Sequence, residues 1–231
     1  MQDKLAVTSR NILRDKRGLF AHRQDIRIPK EYSADLAEFF GIMLGDGKLS
    51  EYQVVVNLGT KEDAYADSLV DLIRNIFNAS PKIAVRKTGY KDIYLGSVDL
   101  AAWLKTEGLV TNKVLSQVGV PGWIFYEEKF MKRFIRGFFD TDGSVYRLRW
   151  GMQISFTNKS LPLLKSIHDM LVYLRYSPSK VSGFKVYITK KAEVCRFFQE
   201  IVPRNLKHRN RYRDFLKSSR ADTKAVKWGA L

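Results

Sequence analysis

Two aspartates stand at matching points of the chain. Asp46 ends the apolar stretch DLAEFFGIMLGDG (Asp35–Gly47), and Asp142 ends FMKRFIRGFFDTDG (Phe130–Gly143), each with a glycine five positions earlier, Gly41 and Gly137. A carboxylate at the C-terminal end of a helix opposes the helix dipole, so placing one there twice calls for a compensating cation. Gly41 and Gly45 lie one turn apart on one helical face, and Gly137 and Thr141 take the same places in the second stretch. Small residues at that spacing let two helix backbones approach closely. If the two helices pack side by side, Asp46 and Asp142 emerge together at one end, where two carboxylates repel unless a proton or a cation intervenes. Carboxylate and carbonyl oxygens suit a hard divalent ion, Mg²⁺ or else Mn²⁺. Such an ion can orient water and assist a leaving oxygen, which is metal-assisted phosphodiester hydrolysis.

The elements that must hold these aspartates repeat. After the first stretch, the alternation of Tyr52–Leu58 reads as a strand, and Tyr65, Leu69, Leu72, Ile73 and Ile76 recur at helical spacing. Lys82–Lys87 and Lys91–Ser97 read as a hairpin, and Leu100, Trp103 and Leu104 as one face of a closing helix. After the second stretch the order recurs. Gly151–Thr157 alternates, Leu163, Ile167, Met170, Leu171 and Leu174 are helical, Ser179–Ser182 and Phe184–Thr189 make a hairpin around Gly183, and Val194, Phe197 and Phe198 form the last helical face. This predicts an α+β fold, an αββαββα unit present twice, with the pseudo-symmetric units packed through their motif helices. The expected organisation is a basic N-terminal extension (1–33), a first unit (34–108), a linker (109–126), a second unit (127–203), and a basic C-terminal stretch (204–231) with one helix near Arg211–Lys217 and a frayed tail.

Charge narrows the function class. The 231 residues carry 40 Lys+Arg against 24 Asp+Glu, a formal +16, with 45% hydrophobic residues, the balance of a folded chain. From Gly143 to Ala192 nine basic residues face one acid, Asp169, whereas Lys48 to Ser97 holds seven basic and six acidic. Long acid-poor stretches make a directional positive field suited to a polyanion. A single cysteine, Cys195, excludes a disulfide framework and a Cys-rich zinc site, and His22, His168 and His208 are too few for an all-histidine centre. The opening MQDKLAVTSR is polar and no apolar run approaches a membrane span, so neither a signal peptide nor a membrane partner is expected, and the location expected is cytoplasmic or nucleoid-associated. Glu127-Glu128-Lys129 is an acid-acid-lysine run without the strand pattern another nuclease class would need around it.

The strands offer side chains able to read base edges and hold phosphates. Gln53 and Asn57 alternate with Val54 and Val56, and Lys82 and Arg86 share a face, as do Arg147 and Arg149. Gln153, Ser155 and Thr157 oppose Met152, Ile154 and Phe156, and Lys185, Tyr187 and Thr189 oppose Phe184, Val186 and Ile188. Two antiparallel sheets of this kind would form a saddle tracking a duplex across two half-sites.

At FFGIMLGDG (Phe39–Gly47) and IRGFFDTDG (Ile135–Gly143) the sequence resembles the LAGLIDADG homing endonucleases, and the element order extends the resemblance over nearly the whole chain. It is similar to the monomeric two-motif, intron-encoded members, including archaeal ones. The resemblance implies a site-specific, metal-dependent double-strand DNA endonuclease with a long, degenerate, asymmetric target, cutting across the minor groove to leave 3′ overhangs. It assigns Asp46 and Asp142 as metal-binding catalytic acids and the carbonyls of Gly45 and Thr141 as auxiliary ligands. For the family's peripheral Lys or Gln, Lys48 or Lys61 would serve the first half, and Asn158, Lys190 or Lys191 the second. Leu44 stands where Asp140 keeps the motif's earlier acid, and unequal cutting by the two halves is expected. The alternatives on the same scaffold are an intron RNA-splicing maturase, with intron RNA as partner, and a DNA-binding regulator that does not cut.

Overall fold

In the computed structural model, residues 25–87, 89–149 and 151–228 are described, with side chains to 217. The first motif helix, α1 (Ala34–Leu44), starts at Ser33, whose hydroxyl accepts the Leu36 N–H at 3.1 Å. Nine of its eleven residues are buried, so it is a core helix enclosed on all sides rather than an amphipathic surface one. Strands β1 (Gly47–Leu49) and β2 (Gln53–Gly59), helix α2 (Asp63–Phe77), strands β3 (Lys82–Arg86) and β4 (Tyr90–Gly96), and helix α3 (Val98–Thr106) complete the first unit. A 3₁₀ turn at Gly122–Tyr126 precedes the second motif helix, α4 (Glu128–Asp142). Then come β5 (Gly143–Leu148), β6 (Gly151–Thr157), α5 (Leu161–Tyr173), β7 (Lys185–Ile188), α6 (Lys191–Glu200) and α7 (Leu206–Trp228).

Both sheets are antiparallel, ordered β1-β2-β4-β3 and β5-β6-β7. The second lacks the fourth strand expected over Ser179–Ser182. A two-residue turn is present: Ser182 and Lys185 exchange both backbone hydrogen bonds at 3.0 Å, and Gly183 (φ 55°) and Phe184 (φ 59°) have the positive φ values of a type I′ turn. The ladder then stops at one bridge, because the Ser179 hydroxyl takes the Tyr187 N–H at 3.1 Å that a strand carbonyl would accept. The helix expected at Arg211–Lys217 begins five residues earlier and continues to Trp228. Its start is built by one tertiary and one local contact: Asp140 accepts the Arg204 and Asn205 N–H groups at 2.9 and 3.0 Å, and Asn205, directly before the helix, accepts the Lys207 N–H on its side chain at 3.2 Å.

The core is centred on α1 against α4. A β-carbon added at Gly41 would lie 2.2 Å from the Phe134 carbonyl oxygen, and one at Gly137 would lie 2.1 Å from that of Glu38. The two backbones therefore touch where the glycines meet. Beside this seam Glu38, fully buried, receives Arg133 (2.9 Å), Arg136 and Arg204 (2.7 Å). Of the stretch read as an N-terminal extension, residues 1–24 lie outside the described residues. Within 25–33, Ile26 and Ile28 pack on the core and Arg27 donates to the Phe77 carbonyl at 2.8 Å. Among the described residues no helix is long and apolar enough to cross a membrane.

Candidate catalytic and nucleic-acid-binding site

Because α1 and α4 run together to their C-terminal ends, Gly45 abuts Thr141 (an added β-carbon would sit 2.0 Å from the threonine hydroxyl). Asp46 and Asp142, the next residue on each side, are thereby delivered to one place. Asp46 reaches solvent and Asp142 is half-buried. Crowding by protein, then the facing Asp46 carboxylate, push Asp142 up to about 6, against the opposing pull of Asn158, Lys113 and Lys207. Burial likewise raises Asp46, opposed by Lys207, Lys113 and Lys48 and supported by Glu62. Asn158, at the end of β6, donates to Asp142 Oδ2 at 2.8 Å and orients it.

Two lysines that the sequence reading passed over complete the site. Lys113, from the connector after α3, donates its ammonium to the carbonyls of Met43 (3.1 Å) and Gly45. Burial lowers its pKa, while Asp142 and Asp46 hold it up. Lys207 pairs with Glu62 at 3.0 Å. Burial works to raise the Glu62 carboxyl, but hydrogen bonds from Asn205, the Gly59 N–H and Lys207 keep it below its ordinary value. The signal for both lysines lay in the duplication. Lys113 follows Thr106, the last residue of α3, by seven positions, and Lys207 follows Glu200, the last of α6, by the same seven.

The other expected residues are distributed as follows. Thr141 is buried, its hydroxyl bonded back to the Phe138 carbonyl at 3.0 Å. Lys48 is exposed on β1 opposite Val55, and Lys61 is exposed ahead of α2. Lys190 stands at the N-cap of α6 and bonds Ser177 (2.9 Å) and Glu193 (3.4 Å). Lys191 is exposed in the first turn of α6.

Register sorts the sheet residues. Gln53, Asn57, Lys82 and Arg86 share the outer face of the first sheet. There Asp92 of β4 receives both Asn57 and Arg86, an acid that the sequence reading had not placed on this face. On the second sheet Gln153, Ser155, Thr157, Lys185 and Tyr187 share the outer face, with Gln153 donating to Tyr146 at 2.8 Å. Ser155 is nevertheless buried beneath its neighbours. Arg147 pairs with Met152 and so belongs to the opposite, inner face. It lines a cavity of about 460 Å³ with Arg211, Asp214 and Phe215. The strand period of two decides this, since one residue of offset turns a side chain to the other face. Arg149 lies in the β5–β6 turn.

Among the described residues no three His, Cys, Asp or Glu side chains gather into a metal-binding group. The donor set a hard cation would meet is therefore two carboxylates with the Gly45 carbonyl, an all-oxygen set that fits magnesium-type ions. The ammonium already bonded to that carbonyl indicates that the position favours positive charge.

Residues 129–202 match the family described as LAGLIDADG-like domain. The fold is that of the homing endonuclease I-DmoI, whose mesophilic variants are 16% identical with a TM-score of 0.52 over 73% of this chain and 94% of theirs. I-DmoI in complex with DNA and Mn gives 17% identity and a TM-score of 0.53 over 73% of this chain and 96% of that one. The N-terminal LAGLIDADG domain of DUF199/WhiA is equally similar, at 16% and 0.53 over 74% of this chain and 82% of that domain. In sequence, the replication factor C small subunit of Methanocaldococcus jannaschii is 25% identical over 116 residues, half of this chain and 6% of that protein. A probable cell division protein WhiA of Lacticaseibacillus paracasei is 26% identical over 195 residues, 77% of this chain and 59% of that protein. The chain thus spans less than two thirds of the length of these relatives.

Proposed function

We propose that the protein is a site-specific double-strand DNA endonuclease that acts as a monomer and uses Mg²⁺ or Mn²⁺ at the base of its paired motif helices. The observation that carries this reading is the meeting of Asp46 and Asp142 at the ends of a glycine-lined helical seam, where the Asp46 carboxylate helps to raise the pKa of Asp142. A divalent ion bound there would supply an activated water and offset charge on a scissile phosphate. The chain's own groups have separate tasks. Asp46, Asp142 and the carbonyls of Gly45 and Thr141 would hold the ion, Asn158 orients Asp142, and Lys113 and Lys207 would bring positive charge to where the phosphate passes. The outer faces of the two sheets, with Gln53, Asn57, Lys82, Arg86, Gln153, Thr157, Lys185 and Tyr187, would grip a long, asymmetric duplex site. Ser155 and Arg147 are left out of that surface by burial and register.

A second reading, a DNA-binding regulator on the same scaffold that does not cut, takes its support from the 26% identity over most of the chain to a protein named for cell division rather than for cleavage. Incubation with a randomised or genomic DNA library in Mg²⁺, with sequencing of cut ends, separates the two. Cleavage that disappears in both Asp46→Asn and Asp142→Asn, with binding retained, supports the nuclease. Tight duplex binding without cleavage in Mg²⁺ or Mn²⁺ replaces it with the regulator. An intron-RNA splicing assay tests the maturase activity that the same scaffold could also carry.

A further inference from the structure

The C-terminal end of α1 lacks a basic residue of its own in the last turn. Its Met43 and Gly45 carbonyls are served instead by Lys113, which reaches in from the connector. We propose that Lys113 is a resident cation of the site: its ammonium occupies the Gly45 carbonyl and balances the two aspartates until a divalent metal ion takes that position, and metal loading turns the lysine side chain outward. The inference deepens the metal-centred reading above and rests on it.

Three features support an exchange rather than simple helix capping. First, the carbonyl that accepts the ammonium belongs to the residue directly before Asp46, so it faces the position a metal held by the aspartates would fill. A monovalent and a divalent cation cannot sit within hydrogen-bonding distance of one oxygen without strong repulsion. Second, the backbone around Lys113 is pinned, so that release of its ammonium can only come from rotation of the side chain. Val118 donates to the Lys113 carbonyl at 3.2 Å, Leu115 donates to the Asn112 side chain at 3.0 Å, and the Ser160 hydroxyl donates to the Val118 carbonyl at 2.6 Å. Movement is thereby confined to the four-carbon stem, which is flexible and strongly hydrated at its tip. Third, the pseudo-symmetric Lys207 is paired with Glu62 and is exposed, so the resident role falls to one lysine of the pair.

Once displaced, Lys113 would sit beside the metal with its charge free for a phosphate oxygen. The site would then hold a cation in both states, and the two aspartates would never face each other uncompensated.

The test uses the full chain without DNA and Ca²⁺ as the probe. Acetylation of Lys113 by an amine-reactive ester, followed by peptide mass spectrometry, should be slow without Ca²⁺ and faster at saturating Ca²⁺, while the distant Lys82 keeps a constant rate. By calorimetry, Lys113→Met should bind Ca²⁺ roughly tenfold more tightly than wild type, as removal of a competing charge at close range requires. Ca²⁺ binding with unchanged or slower Lys113 labelling overturns the exchange and leaves the metal site standing, as does equal Ca²⁺ affinity in the two proteins. If neither protein binds Ca²⁺ or Mn²⁺, the metal reading fails and the exchange with it. Should Lys113→Met not fold, labelling of the wild type decides alone.

Discussion

At the scale of single residues, Asp142 is the most informative group. Its carboxyl is raised to about 6 by burial and by Asp46, so the folded state resists its ionisation more than the unfolded chain does. In the metal-free protein the contribution of this group to stability should therefore grow as pH falls from about 7 through 6 toward 4, because the folded state takes up a proton the unfolded state does not yet bind. Thermal melts of Asp142→Asn should show a higher Tm than wild type at pH 8, with the advantage shrinking toward pH 5. A Tm difference that is flat with pH would contradict the crowding described for this pair. His208 acts in the opposite sense. Burial presses its pKa down to about 3, so the stability it confers is present above its unfolded value near 6.5 and declines as pH falls below it. Comparing Asp142→Asn with a His208→Phe variant separates the two contributions.

At the scale of elements, the α1–α4 seam and its ionic clamp carry the architecture. Gly41→Ala or Gly137→Ala would drive a methyl group into backbone at 2.1–2.2 Å, which no rotamer change can relieve. Either should cost about 3 kcal/mol or more and lower cleavage, because the aspartates part with the helices. Gly119→Ala, with nothing within 4 Å, is the control expected to leave both unchanged. Glu38→Gln should cost roughly 3–5 kcal/mol, since three guanidinium groups then lose their shared carboxylate. Denaturant melts measure both. The same scale explains two departures from the sequence reading. The strand expected before Gly183 fails because a serine hydroxyl intercepts its ladder. Helix α7 starts early because Asn205, directly before it, caps its first turn and is itself held by Asp140 from the second motif helix.

At the scale of the whole molecule, the +16 charge bears on the proposed duplex partner and the asymmetry of the site bears on the proposed cleavage. Duplex affinity should fall steeply and log-linearly with salt as phosphate counterions are released; a shallow slope would argue against a phosphate-tracking saddle. Asp142 is oriented by Asn158, whereas Asp46 is open to solvent and faces Glu62 through charge. For the proposed endonuclease unequal cutting rates are expected, and a plasmid time course should pass through a nicked circle before the linear form. Simultaneous cutting of both strands would show that these surroundings do not matter.

Legibility followed the range of the interactions. The two aspartates, the close-approach glycines and the repeated element order were readable, because each depends on residues within a few positions or on a repeat that aligns itself, whereas Asn158 was only one of three candidates beside the second acid. What the sequence determined by itself was therefore the pair of motif helices and the strands that follow them. Only the tertiary structure decided which cations attend the acids, that Arg147 turns inward, that Ser155 is covered and that Asp92 shares the outer face. Those outcomes are set by strand register and by a connector folding back across the helix ends. Lys113, sixty-eight residues from the carbonyl it holds, is marked in the sequence only by its match to Lys207 in the repeat, since no local pattern of charge or hydrophobicity gives its destination.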